Sequence, residues 1–206
     1  MAKRYEKVDF VHGRRRRAER CNLRHQWEKD RARAGLRERG SRGATERDTG
    51  LGTGQLAFHA EYERIEAPAE LAVTLGIEPG AAVLKRTYRT RRAGERAPLN
   101  IARSYLPYEI ARRNPELLDQ AREPWPGGTM HQLFTVGIEV GRVEEVVTAR
   151  PPTAQEAEEL GLVPGVAVMD VRKTLHDMAG RIVEVADVVL PGDRYAVKCV
   201  TPLERW

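Results

Sequence analysis

The sequence predicts an α+β fold built on one antiparallel sheet of about six strands, arranged as two quasi-equivalent halves. The stretch PAELAVTLGIEPGAAVL from Pro68 and the stretch TAQEAEELGLVPGVAVM from Thr153 align without a gap at a constant offset of 85 residues, which marks duplicated architecture. Each copy reads as a short helix, a glycine-bearing turn and a strand. Each strand then meets a turn holding Ala-Gly and returns as a second strand, so sequence neighbours pair antiparallel.

In the first copy Pro68 suits the first turn of the helix AELAVTL, and Gly76 suits the left-handed cap that ends it. The turn Glu78-Pro79-Gly80 feeds the strand AAVLKRTYRTR, RRAGER turns the chain, and PLNIARSYLP returns. PYEIARRNPELLDQA and TMHQLFTV predict helices, and GIEVGRVEEVVTAR predicts a strand. The second copy repeats the unit as the helix TAQEAEEL, Gly161, the turn Val163-Pro164-Gly165, the strand VAVMDVRKTLHD, the turn DMAGR and the strand RIVEVADVVLP. AFHAEYERI and DRYAVKCVTPL supply further strands at the two ends. A cleft is expected where the halves meet, and such junctions are favoured places for small ligands.

Charge divides the chain unevenly. Residues 1–43 hold 15 Lys and Arg against 6 Asp and Glu, whereas residues 44–206 hold 20 against 24. The first part reads as a basic arm without a core of its own, its apolar residues limited to a thin stripe such as Leu23 and Trp27. Gly, Ser, Thr and charge dominate Gly40 to Gly54, so residues 44–55 read as a linker and residues 56–206 as the folded body. No apolar run approaches the roughly 20 residues that span a bilayer, and no apolar segment follows the N-terminal arginines, so a cytoplasmic protein without a membrane partner is expected. Cys21 and Cys199 are too few and too distant for a disulfide framework.

The succession LGIEPGAAVLKRTYRT, SYLP, RVEEVVTARPPTAQEAEELGLVPG and DMAGRIVEVADVVLPGDRY resembles the UTRA effector-binding domain of GntR-type transcriptional regulators of the HutC subfamily. The resemblance runs over nearly all of residues 55–206. It implies a chorismate-lyase-like fold, a homodimer, and binding of a small molecule, often a sugar phosphate, amino acid or organic acid, that controls a DNA-binding domain. KRYEKV resembles the first helix of the family's winged helix-turn-helix, and HQWEKDRAR resembles the linker that follows it, so the intervening DNA-binding domain is expected to be missing.

Candidate site residues follow from strand alternation and from this resemblance. Thr87, Arg89 and Arg91 share one face of their strand, and the resemblance places Arg89 and Arg91 where the family's R-x-R contacts anionic effectors. Arginine's planar fork suits a phosphate or carboxylate. The alternative is a solvated strand face. An offset of 85 brings up Arg172, Thr174 and His176 on the second strand, a matching polar face. Glu184 stands where the family often has a carboxylate reaching the ligand; it is otherwise an exposed strand residue. Ser104 and Thr148 are small hydroxyls able to line a polar pocket or to serve as routine strand residues, and Tyr195 either reaches the ligand or packs. Arg86 is expected on the opposite strand face, away from the ligand.

Two other functions compete. A chorismate-lyase-like enzyme is the first, but only Ser41 and Ser104 are available as serine nucleophiles and neither has a base or an elbow. The five histidines show no metal spacing, and TGLGTG lacks the lysine of a phosphate loop, so neither catalysis nor a cofactor or metal is expected. The second is nonspecific nucleic-acid binding through Arg14, Arg15, Arg16 and Arg17, which neutralise phosphates without reading sequence. DNA is thus expected to be met weakly or through another subunit.

Overall fold

The computed structural model describes residues 17–35, 40 and 43–204. Strand β1 (Ala18–Cys21) leads to helix α1 (Arg24–Ala32), and α2 (Ala44–Thr49) leads to β2 (Leu56–Glu66). The first repeat unit is α3 (Ala69–Leu75), β3 (Ala82–Arg92) and β4 (Asn100–Pro107). Helices α4 (Tyr108–Ala111) and α5 (Gly128–Thr135) lead to β5 (Val140–Arg150). The second unit is α6 (Ala154–Glu159), β6 (Val168–Asp177) and β7 (Ile182–Pro191), and β8 (Tyr195–Lys198) follows. No helix among the described residues is long and apolar enough to cross a membrane.

The duplicated units build one six-stranded antiparallel sheet in the order β2-β3-β4-β7-β6-β5. Each half is a three-stranded meander, and the halves join edge to edge where Ser104 lies opposite Ala186. The repeated glycines make the repeated geometry. Gly76 (φ 63°) caps α3 and Gly161 (φ 56°) follows α6, both in the left-handed region that glycine enters without a Cβ clash. Thr153 adds a capping box to α6, its hydroxyl accepting from Glu156 N while the Glu156 carboxylate accepts from Thr153 N at 2.8 Å.

Strand alternation gives the sheet two buried faces. Helices α3 and α6 cover one, where Ala72 and Leu75 pack on Val83 and Val185, and Leu160 packs on Ile101, Val168 and Val189. Helix α5 covers the other, where Leu133 and Met130 pack on Leu84, Leu106 and Leu175. Each such aliphatic side chain contributes about 1.5–3 kcal/mol on leaving water.

Two expectations change here. The helix expected across PYEIARRNPELLDQA stops at Ala111 and continues as 3-10 turns at Pro115–Leu118 and Gln120–Arg122. Pro115 pushes Asn114 into an extended conformation (φ −131°), and the Asn114 side chain accepts from Glu116 N, starting a new turn. The basic arm, expected without a core of its own, and the linker pack against the body over their described residues. Strand β1 pairs in parallel with β8, α1 lies along α5 and places Ala32 in the main core, and α2 buries Glu46 and Asp48.

Candidate functional site

On the α5 side of the sheet, β3 presents Leu84, Arg86, Tyr88 and Thr90, and β4 presents Leu106, Ser104, Ala102 and Asn100 opposite them. Arg86 is fully buried. Its guanidinium donates to Ser104 Oγ at 2.6 Å, Glu184 Oε1 at 2.7 Å and Gln132 Oε1 at 2.7 Å. Ser104 Oγ in turn donates to Glu184 Oε1 at 2.5 Å. Burial alone would raise the Glu184 pKa, but the charges of Lys173 and Arg86 and the Ser104 bond hold it below the ordinary carboxylate range. Glu184 Oε2 has no hydrogen bond; Lys173 Nζ stands 3.5 Å away as an ionic neighbour.

A second polar layer lies against the first. Glu123 Oε1 accepts from Tyr62 Oη at 2.6 Å, Tyr88 Oη at 3.1 Å and Gln132 Nε2 at 3.0 Å, while Glu123 Oε2 accepts from Trp125 N at 2.7 Å. Gln132 therefore bridges the layers, its oxygen on Arg86 and its nitrogen on Glu123. Burial, with the Glu123 charge added, pushes both phenols well above their usual pKa against the opposing pull of Arg86, so Tyr62 and Tyr88 remain protonated donors.

Beside these layers is a cavity of about 340 Å³. Phe58 and Ala60 of β2, Tyr88 and Thr90 of β3, and Asn100 and Ala102 of β4 line it from the first half, and Lys173 and Leu175 of β6 line it from the second. One wall is the segment from Glu123 to Gln132, in which Gly127 (φ 95°) and Gly128 (φ 61°) open α5 without a side-chain cap. Such a helix start offers peptide N–H groups and a partial positive charge to an anion. The other wall comes from Arg24, Trp27, Glu28 and Arg31 of α1 and from Gly43–Glu46. A larger hollow, about 740 Å³, lies at the strand ends near Arg92, Gly165 and Arg194, but Arg194 already donates to the carbonyls of Pro98 and Leu160.

The sequence-derived candidates fall into two groups. Ser104 and Glu184 meet in the buried network under Lys173, and Tyr195 accepts from Asn100 Nδ2 at 2.7 Å, one step behind the cavity lining. Arg89, Arg91, Thr148, Arg172 and His176 lie on the opposite face of the sheet. There Arg89 pairs with Glu159 and with Glu61 at 2.7 Å, Arg91 donates to the Glu95 carbonyl, and Thr148 is exposed. Arg172 pairs with Asp187 at 2.8 Å, and His176 sits against Arg142 and the Gly180 carbonyl. Arg86, placed by the sequence reading on the face away from the ligand, is instead the centre of the network on the cavity side. Of the arginine run, Arg17 is exposed, and Arg14 to Arg16 and KRYEKV lie outside the described residues.

Sequence reasoning passed over Tyr88, Thr90 and Lys173, and it set Arg86 on the face away from the ligand. Leu84 shares its face with Arg86, Tyr88 and Thr90, and Val83 shares the other with Lys85, Thr87, Arg89 and Arg91, so alternation groups these residues without saying which face meets the cavity.

Residues 59–196 match the UTRA domain family. The chain belongs to that family. An uncharacterised HTH-type transcriptional regulator of Streptomyces coelicolor is 31% identical over 134 residues, which cover 65% of this chain and 49% of that relative. The match thus spans about half of that relative's length. A solved structure assigned to the GntR family of transcriptional regulators is 28% identical, with a TM-score of 0.71 over 95% of this chain and 74% of that one. The effector domain of PhnF from Mycobacterium smegmatis shares the fold at 22% identity, with a TM-score of 0.58 over 72% of this chain and 89% of its own. The relatives are transcriptional regulators rather than enzymes.

Proposed function

We propose that this UTRA domain senses a small anionic metabolite, such as a sugar phosphate, amino acid or organic acid, in the cavity between the sheet, α1 and the start of α5. The observation that carries the reading is that one cavity draws its lining from both halves of the repeat and includes both Lys173 and the uncapped start of α5. Lysine and helix N–H groups supply positive charge for the anion, Tyr88, Thr90 and Asn100 supply hydrogen bonds, and Phe58, Ala102 and Leu175 supply an apolar floor. Arg86, Ser104 and Glu184 act beneath this lining by holding β3, β4 and β7 in register, with Lys173 as an ionic neighbour of Glu184 at 3.5 Å. Arg89, Arg91, Thr148, Arg172 and His176 have no part in it.

The regulated output is transcription in the cytoplasm, with DNA contacted by the arginine run only weakly or through another subunit. The test is thermal unfolding in the presence of sugar phosphates, amino acids and organic acids. A genuine effector at about 100 times its dissociation constant adds about 2.7 kcal/mol of stability and visibly raises Tm. If no member of these classes raises Tm at millimolar concentration, the reading fails.

A further inference from the structure

The match to the UTRA family begins at residue 59, yet one wall of the cavity comes from Arg24, Trp27, Glu28, Arg31 and Gly43–Glu46. That wall is attached differently from the rest. The sheet is held by apolar packing on both faces. Helix α1 buries only Arg24 and Ala32, and Leu23 beside it is exposed. Its hold on the body is largely ionic. Arg20, just before it in β1, pairs with Glu145 of β5, His25 stands 3.3 Å from the same carboxylate, and Lys29 is 3.0 Å and Arg33 is 2.7 Å from Glu139, while Arg24 pairs with Asp48 of α2 within the same wall. The Glu139 pairs are partly exposed and weaken with salt, whereas Arg20 and His25 meet Glu145 in a nearly buried contact that salt screens less, and a helix with one apolar side chain in the core opens at lower free energy than the sheet.

We propose that α1 together with Gly43 and α2 is a clasp that closes the cavity, held by Glu139 and Glu145, and that it opens as a unit while the six-stranded sheet stays folded. Opening uncovers Thr90, which lines the cavity and is buried in the closed form. The meaning of the motion rests on the effector reading of the cavity: a ligand lying between α1 and the sheet touches both and holds the clasp shut, so occupancy is reported to the chain that precedes α1. The motion itself requires no ligand to be observed.

Hydrogen exchange of the full chain, read by mass spectrometry at 0.05 and 1 M NaCl, tests it. Amides of α1 should exchange at least tenfold faster at high salt, while those of β3 and β7 stay unchanged. Glu145→Gln should reproduce the effect at low salt. Glu144→Gln, next to it on the opposite face, should not. In a Cys21→Ser, Cys199→Ser background, Thr90→Cys should react with N-ethylmaleimide faster at high salt in parallel with α1 exchange. The proposal is overturned if α1 exchanges at the rate of the sheet at both salt concentrations, or if Thr90→Cys labelling ignores salt. Should Glu145→Gln fail to fold, the salt series on the unaltered chain still decides. A salt-opened clasp in a protein that none of the screened metabolites stabilises would leave the clasp standing and remove the effector reading.

Discussion

The Arg86 guanidinium donates to Glu184 Oε1 at 2.7 Å across the sheet, with both side chains shut away from solvent. A buried pair of this kind is costly to break, because removing one partner strands the charge of the other. Arg86→Met should therefore lower unfolding free energy by about 3–5 kcal/mol, and the double change Arg86→Met with Glu184→Leu should recover part of that loss. Denaturant titration checks both. A single substitution costing under about 1 kcal/mol would mean that the network does not hold the strands together. Because the Glu184 pKa is depressed on folding, its contribution is present above the ordinary carboxylate range and is lost as pH falls below it.

The repeated glycines give a paired test of the duplication. Gly76 and Gly161 both sit at positive φ, so an alanine at either costs about 1–2 kcal/mol in backbone strain. A Cβ at Gly76 would enter open space, whereas one at Gly161 would meet the Ala97 methyl at 3.2 Å. Gly161→Ala should thus be the more destabilising in thermal unfolding, and an equal or reversed ranking would count against the packing of α6.

A pH effect follows at the clasp. Burial disfavours the His25 cation, yet Glu145 and Glu28 together raise its pKa above the ordinary 6.5. The ring nitrogens lie 3.3 and 3.6 Å from these carboxylates without aligned hydrogen bonds, so the contact is ionic, and Arg20 and Arg24 compete for the same acids. A raised folded pKa means that the stabilisation is complete below the unfolded pKa and is lost as pH rises through the folded one. Hydrogen exchange in α1, corrected for the intrinsic pH effect, should speed up over that rise in the native chain and not in His25→Gln. A profile that is the same in both would exclude His25 as the titrating group.

Self-association is a further expectation. Strands β2 and β5 are the two edges of the sheet, each 11 residues long, and β5 exposes Val146 and Val147. Long edges of this kind invite pairing with a second copy. Light scattering at tens of micromolar should give a homodimer mass, and a monomer mass would remove the expectation.

Much of the fold was legible in the sequence because its punctuation is local. Gly76, Gly80, Gly161 and Gly165 take up the positive φ that their turns require, so the turns and the duplicated unit could be read one position at a time. The site was less legible, since alternation groups Arg89 with Arg91 and Arg86 with Tyr88 but does not say which group turns toward the cavity. Both faces of β3 carry arginine and threonine, and the decision is made by α5 and Gln132, far away in sequence. The packing of α1 was hidden for a different reason. Charge was read as a mark of solvent exposure, whereas Arg20 and Arg24 are buried against Glu145 and Asp48.

The central claim is that the effector lies on the cavity face of the sheet and not on the face of Arg89. Calorimetric affinity for the metabolite that most raises Tm, compared between Lys173→Met and Arg89→Met, tests it most directly. Loss of the lysine charge should weaken binding at least tenfold, about 1.4 kcal/mol, while loss of Arg89 leaves affinity within a factor of two. Unchanged affinity in Lys173→Met together with a tenfold loss in Arg89→Met would contradict the account.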